Sequence, residues 1–248
     1  MCTRKNNFME LVAPSHLCII LIGEAVINIK LTLGDKGDMI MKQKDYVYYG
    51  AYAPILEITE STVLNRLKEL LTNISEDGMH SQAEHILSRV KSADSIQKKL
   101  VRKGHETDVL TALHVTSDSV GIRIVTHFIG DVYTILDYIK DEPSWKIVKI
   151  KDYISNPKPN GYRSLHIILE VPLHGMELDS LKVEIQLRTI TMDCWASLEH
   201  QMKYKQDMTD AALLTEELRR CADAMAATDL SMQAIREKMQ AAEEETEQ

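Results

Sequence analysis

Two acids and a dense set of cations carry the chemistry this sequence could perform. Asp118 stands just ahead of VGIRIVTHF (Val120 to Phe128), and Glu184 lies inside KVEIQLRT (Lys182 to Thr189). Between Arg89 and Lys103, six bases (Arg89, Lys91, Lys98, Lys99, Arg102 and Lys103) accompany a single acid, Asp94. Carboxylates among many cations suit metal-assisted phosphoryl transfer. Mg2+ is a hard ion that takes carboxylate and phosphate oxygens and keeps some waters, so one or two acids suffice as its protein ligands. Lys and Arg then neutralise charge on the transferring group, and catalysis is mostly positioning and electrostatics. A third feature is NPKPNGYRSLH, Asn156 to His166. Its two prolines fix φ and Asn160-Gly161 can supply the positive φ of a tight turn, so Lys158 and Tyr162 are presented on a stiff arch. Taken alone, that arch reads equally as a ligand holder or as an ordinary strand connection.

The elements that position these groups follow from periodicity. SADSIQKKLVRKG (Ser92 to Gly104) predicts a helix with Ser92 or Asp94 at its N-cap, Gly104 as C-cap, and Ile96 and Leu100 turned inward at i, i+4. On the adjoining face Ser95, Lys99 and Arg102 recur at i, i+4, i+7, a row that could bind phosphate or simply face water. Four strands are expected: Val120 to Phe128, Trp145 to Ile154, Tyr162 to Val171 and Lys182 to Thr189. The helical stretch DVYTILDYIK (Asp131 to Lys140) between the first two indicates a mixed sheet with helices packed on it, an α+β fold. In the last strand the two-residue period sends Val183, Ile185 and Leu187 to one face and Glu184, Gln186 and Arg188 to the other. That polar face needs water or a ligand.

Upstream of residue 103 the text reads helical, with Leu64, Leu67, Leu70 and Leu71 on one stripe. LCIILIGEAVINIKLTL (Leu17 to Leu33) is the most apolar segment, but Gly23, Glu24, Asn28 and Lys30 interrupt it well short of a membrane span, and a buried helix is expected. After Thr191 the chain turns helical again. Leu214, Leu218, Cys221, Met225, Thr228, Met232, Ile235 and Met239 form a heptad-like stripe that must pack on the domain or on another subunit. The chain has 248 residues, 44% of them hydrophobic, enough to bury a real core. Its four cysteines are far apart with no C-x-x-C pair, which argues against zinc ribbons and disulfide frameworks and fits a reducing cytosol. The formal net charge of -8 sits mostly after Asp207, where eleven acids face four bases. An acidic chain with one dense basic patch suits a compact anion better than a long nucleic-acid backbone, so RNA binding is not indicated.

Four blocks, RVKSADSIQKKLVRKG (Arg89 to Gly104), DSVGIRI (Asp118 to Ile124), DYISNPKPNGYRSLH (Asp152 to His166) and VEIQLRTITMDCWASLEHQMKYK (Val183 to Lys205), resemble in order and spacing the synthetase domain of the RelA/SpoT-homologue alarmone synthetases. The length resembles the small, stand-alone members. The resemblance implies a nucleotidyltransferase-like mixed β-sheet flanked by helices, with helical extensions at both ends: residues 1–88, a catalytic core over 89–205, and helices with an acidic tail over 206–248. It implies transfer of the β,γ-pyrophosphate of ATP to the 3′-hydroxyl of GDP or GTP, giving AMP and ppGpp or pppGpp. By motif position, Asp118 would hold Mg2+, and Glu184 would share the metal or take the 3′-hydroxyl proton. Arg89 and Arg123 would sandwich adenine, while Lys91, Ser95, Lys99, Arg102 and Lys103 would hold the phosphates of ATP. Tyr162 would stack on guanine, with Lys158 and His166 on the acceptor's ribose or phosphates and Asp193 at the guanine edge. The family more often reads D-I-A-G-I-R where this chain has DSVGIR, which leaves Asp118, Gly121 and Arg123 in register. No His-Asp dipeptide of the family's hydrolase occurs, so synthesis without hydrolysis is expected. Small relatives assemble as homotetramers through terminal helices, which fits the 214-to-239 stripe. Two other readings remain: pyrophosphate transfer to an adenine nucleotide or the 3′ end of tRNA, and a non-catalytic nucleotide- or RNA-binding regulator.

Overall fold

A computed structural model describes residues 17–22, 25–30, 41–76, 83–174, 177–204 and 211–247. Among these residues seven strands form one sheet: β1 (Leu17–Ile22), β2 (Ala25–Lys30), β3 (Ala83–Val90), β4 (Val120–Thr126), β5 (Lys146–Asp152), β6 (Leu165–His174) and β7 (Ser180–Thr189). The order is β2-β1-β6-β7-β4-β3, and β5 also pairs with β6. Only β4 and β7 run parallel. β5 takes the first part of β6, through Leu165 to Glu170, while β1 takes its far end at Leu173 and His174.

The helices are α1 (Gln43–Tyr49), α2 (Ala53–Glu76), α3 (Ala93–Lys103), α4 (Val109–Val115), α5 (Ile129–Asp141), α6 (Ile190–Tyr204) and α7 (Ala211–Glu247). One face of the sheet is the core. Val183, Ile185 and Leu187 of β7, Ile122 and Ile124 of β4, and Leu165 and Ile167 of β6 are buried in one cluster with Leu56, Val63 and Leu67 of α2 and Val132, Ile135 and Ile139 of α5. The alternation expected for β7 is therefore observed, and α5 supplies the crossover cover that a mixed sheet requires.

The upstream expectation is corrected in two places. Leu17 to Leu33 contains not a buried helix but the antiparallel pair β1 and β2, with Leu17 opposite Lys30 and Ile22 opposite Ala25; residues 31–33 lie outside the described residues. Ile or Val makes up half of each run, and β-branched residues favour strands over helices. Ala83–Val90 is likewise a strand inside a region read as helical. α3 begins after Ser92, which occupies the N-cap without a capping side-chain bond, and ends at Gly104, whose left-handed φ of 73° lets its N–H donate back to Val101 at 3.0 Å.

Candidate active site

The sheet face opposite the core carries the polar groups in two rows. Glu184 of β7 lies between Gly121 of β4 and Ile168 of β6; beyond these stand Arg89 of β3 and Lys149 of β5. In the neighbouring row Gln186 lies between Arg123 and His166, flanked by Leu87 and Lys151. Lys149 and Lys151 had no role in the sequence reading. Only the strand register, which depends on a bulge between Ile147 and Lys149, turns them to this face.

A cavity of about 150 Å³ opens over the β3–β4–β7 part of this face. Arg89, Lys91, Asp118, Arg123 and Glu184, all expected site residues, line it with Leu87, Ser88, Gly121, Ile122 and Gln186. A Cβ added to Gly121 would meet nothing within 4 Å, so the missing side chain leaves the cavity floor bare. Lys99 reaches Asp118 from α3, whereas Ser95, Arg102 and Lys103 stand outside the lining on exposed positions of the same helix.

Asp118 accepts from Lys91 Nζ at 2.5 Å and Lys99 Nζ at 2.7 Å. Burial pushes its carboxyl up, but the two ammonium hydrogen bonds outweigh that and hold it below the usual carboxylate range. Lys91 is itself held firmly. Its N–H donates to Ser119 O at 2.8 Å, Tyr49 Oη donates to its carbonyl at 2.6 Å, and buried Asp45 accepts from Ala93 N–H at 2.7 Å. α1 thus anchors the entry to α3, a contact across more than forty residues that no local pattern announces.

Glu184 sits in the middle of the face and is buried. Burial raises its carboxyl, hydrogen bonds from His166 and Gln186 outweigh burial, and the charge of Asp118 pushes back upward. Two like charges bordering one cavity are relieved by a divalent cation. Among the described residues no group of three or more His, Cys, Asp or Glu side chains gathers as a metal cage. An acid pair such as Asp118 and Glu184 would leave most positions of a bound Mg2+ to phosphate oxygens and water, which is the chemistry that ion accepts.

On the other side of Glu184 lies a chain of contacts. His166 Nδ1 is 3.3 Å from Glu184 Oε1, and its Nε2 is 2.8 Å from Tyr162 Oη. Arg188, 5% exposed, donates to Tyr162 Oη at 2.8 Å, to Gln186 Oε1 at 3.0 Å and to Asp193 Oδ1 at 3.0 Å. Like Lys149 and Lys151, it had no role in the sequence reading: the two-residue period placed it on the polar face but named no partners. Asp193 also pairs with Arg123 at 3.0 Å, so residues expected on opposite substrates touch directly. Among the described residues Arg123 Nε is buried without a partner, a donor that a ligand could engage.

The arch itself closes as a turn, with Gly161 N–H donating to Lys158 O at 2.8 Å. Of the Asn160-Gly161 pair only Gly161 has positive φ, at 86°. Asn160 instead accepts from Tyr162 N–H and donates to Glu199 on α6 at 3.1 Å. Lys158 Nζ lies 4.6 Å from the centre of the Tyr162 ring, so one ring face already holds a cation in the protein alone. α7 supports the arch from behind. Trp195 and Leu218 pack with Ala222 and Tyr162, Trp195 Nε1 donates to Leu218 O at 2.9 Å, and Arg163 pairs with Asp223 at 3.0 Å.

A cation-rich cavity with two carboxylates on a mixed sheet suits nucleotide-phosphate transfer, and known proteins show the family. The model for the region found in RelA / SpoT proteins matches residues 88–209. GTP pyrophosphokinase YwaC of Bacillus subtilis is 44% identical over 161 residues, covering 64% of this chain and 77% of that protein. The crystal structure of small alarmone synthetase 2 from Bacillus subtilis superposes with a TM-score of 0.62 at 40% identity, covering 75% of this chain and 98% of that one. That of small alarmone synthetase 1 from the same organism, bound to its product pppGpp, has a TM-score of 0.69 at 28% identity and covers 79% and 100%. The chain belongs to the RelA/SpoT family.

Proposed function

We propose that this protein is a (p)ppGpp synthetase, a GTP pyrophosphokinase that moves the β,γ-pyrophosphate of ATP to the 3′-hydroxyl of GDP or GTP. The observation that carries the reading is Glu184, placed between a donor-type cavity holding Asp118, Lys91 and Arg123 and an acceptor-type chain of His166, Tyr162 and Arg188. In the reaction the 3′-oxygen bonds to the β-phosphorus, the bond from that phosphorus to the bridging oxygen of the α-phosphate breaks, and AMP leaves. Glu184, ionised at neutral pH, is the group at the boundary able to take the hydroxyl proton. Mg2+ held by Asp118, with Glu184, would neutralise the phosphate oxygens. Lys91 and Lys99, which now neutralise Asp118, are in place to exchange it for ATP phosphates, with Ser95, Arg102 and Lys103 further along α3.

Arg89 and Arg123 would hold adenine between guanidinium planes. On the acceptor side Tyr162 would stack on guanine, and Asp193 would accept from its ring N–H and amine on leaving Arg123. Lys158, Lys149 and Lys151 would meet ribose and phosphates. We also infer a homo-oligomer, with a tetramer favoured, through α7. Among the described residues no helix is long and apolar enough to cross a membrane.

The test is incubation with labelled ATP, Mg2+ and GDP, GTP, AMP or tRNA. Label is expected on guanine nucleotides, and Asp118→Ala or Glu184→Gln should each lower kcat by roughly 10²-fold to 10⁴-fold. Label on AMP or tRNA but not on guanine nucleotides would overturn the acceptor, and undiminished turnover in both variants would overturn the site.

A further inference from the structure

Leu87 is an apolar side chain in a charged place. It lies on β3 with 52% of its surface exposed, lines the cavity, and stands directly opposite Arg123 across the β3–β4 ladder. Arg89, two residues along on the same face, stands opposite Gly121. The four positions make a square: two arginines on one diagonal, Leu87 and the bare Gly121 on the other. The fold gains little from Leu87, since half of it remains in water while Ile86 and Val90 of the same strand pack on the core. An exposed Leu at a corner next to two arginine positions is suited to one kind of guest, a flat apolar ring with charged groups attached elsewhere.

We propose that Leu87 is a donor-base contact, an apolar wall against which the adenine edge rests once Arg89 and Arg123 hold its faces. This inference rests on the donor site proposed above. Covering Leu87 with a purine removes apolar surface from water that the free protein leaves exposed, and the gain belongs to ATP binding alone. The guanine nucleotide is placed across Glu184 on the β6 side, three strands away from β3. A specificity role therefore separates from a structural one by which substrate responds.

Leu87→Thr keeps a side chain suited to a strand and removes the apolar wall; Leu87→Met keeps the apolar volume. The expected result is a KM for ATP raised about tenfold in Leu87→Thr, equivalent to about 1.4 kcal/mol, with Leu87→Met within about twofold of the parent. The KM for GDP and the thermal midpoint should not move in either variant. An unchanged KM for ATP in Leu87→Thr, or equal rises for both nucleotides, overturns the proposal. Arg123→Ala measured in parallel tells the two failures apart. If Arg123→Ala weakens ATP binding and Leu87→Thr does not, Leu87 alone is misassigned; if neither does, the donor-site reading falls with it.

Discussion

Arg188 shows what a single residue can coordinate in this site. Its guanidinium bonds to Tyr162, Gln186 and Asp193, which lie on the arch, on its own strand and on α6. The planar fork of arginine fixes several acceptors at set angles, whereas an ammonium is a point charge that cannot span them. Arg188→Lys should therefore raise the KM for GDP on the order of ten- to a hundredfold, the range of one or two lost charge-assisted hydrogen bonds, while leaving the KM for ATP within about twofold. Steady-state kinetics with each substrate varied in turn decides it, and a parallel loss for ATP would mean that Arg188 supports the whole face. Asp118, Glu184 and Tyr162 could be singled out in the sequence because each sits in a short motif whose residue types suit the proposed chemistry, and the fold gathers them around one face. The partners of Arg188 could not, because Tyr162 lies 26 residues and Asp193 five residues away, on different elements. Spacing along the chain says nothing of contacts that only the fold creates.

Among the elements, α7 is the one whose role changes most. Its Ala222 presses on the arch so closely that a Cβ on Gly161 would lie 2.5 Å from Ala222 Cβ and 3.1 Å from Arg219 Cα. Gly161 is thus required twice, by its φ of 86° and by the helix behind it. Gly161→Ala should lower the unfolding free energy and raise the KM for GDP. Ala222→Gly alone should cost about 1 kcal/mol as a helix glycine. Together they should cost less than the sum, by on the order of 1 kcal/mol, because the second change opens space for the first. Strict additivity in denaturant unfolding would show that α7 does not set the arch. Element types were legible wherever a period was clean, as in α3, β4 and β7. β3 was not, because it is an edge strand in which exposure alternates from His85 on but polarity does not, with apolar Leu87 facing out, polar Ser88 facing in and Glu84 at a register shift. The β1–β2 pair was not legible because short apolar runs fit a helix and two strands alike, and the Gly23-Glu24 interruption between them is compatible with either.

At the scale of the whole molecule, the sheet separates core from chemistry, and α7 adds a surface that neither uses. The stripe read from the sequence divides along its length. Leu218 is buried and Met225 partly so, whereas Met232, Ile235 and Met239 remain 50%, 52% and 60% exposed. Helix geometry explains the division. Leu218 and Arg236 are about five turns apart and share a face, while a heptad row drifts roughly 20° per repeat away from it. The inward face is accordingly continued by polar residues: Asp229 accepts from Thr189 and Thr191, Gln233 from Gly130 N–H, and Arg236 pairs with Asp131. The outward row is left as an apolar strip on an otherwise charged helix, a surface suited to burial against another copy. If it is the subunit contact, sedimentation should give an oligomer, a tetramer being favoured. Replacing Met232, Ile235 and Met239 together by Lys should then yield monomers with unchanged circular dichroism, since none of the three packs in the core of its own chain. A wild-type monomer, or a triple variant that still assembles, would remove α7 from the interface and leave its support of the arch as its role.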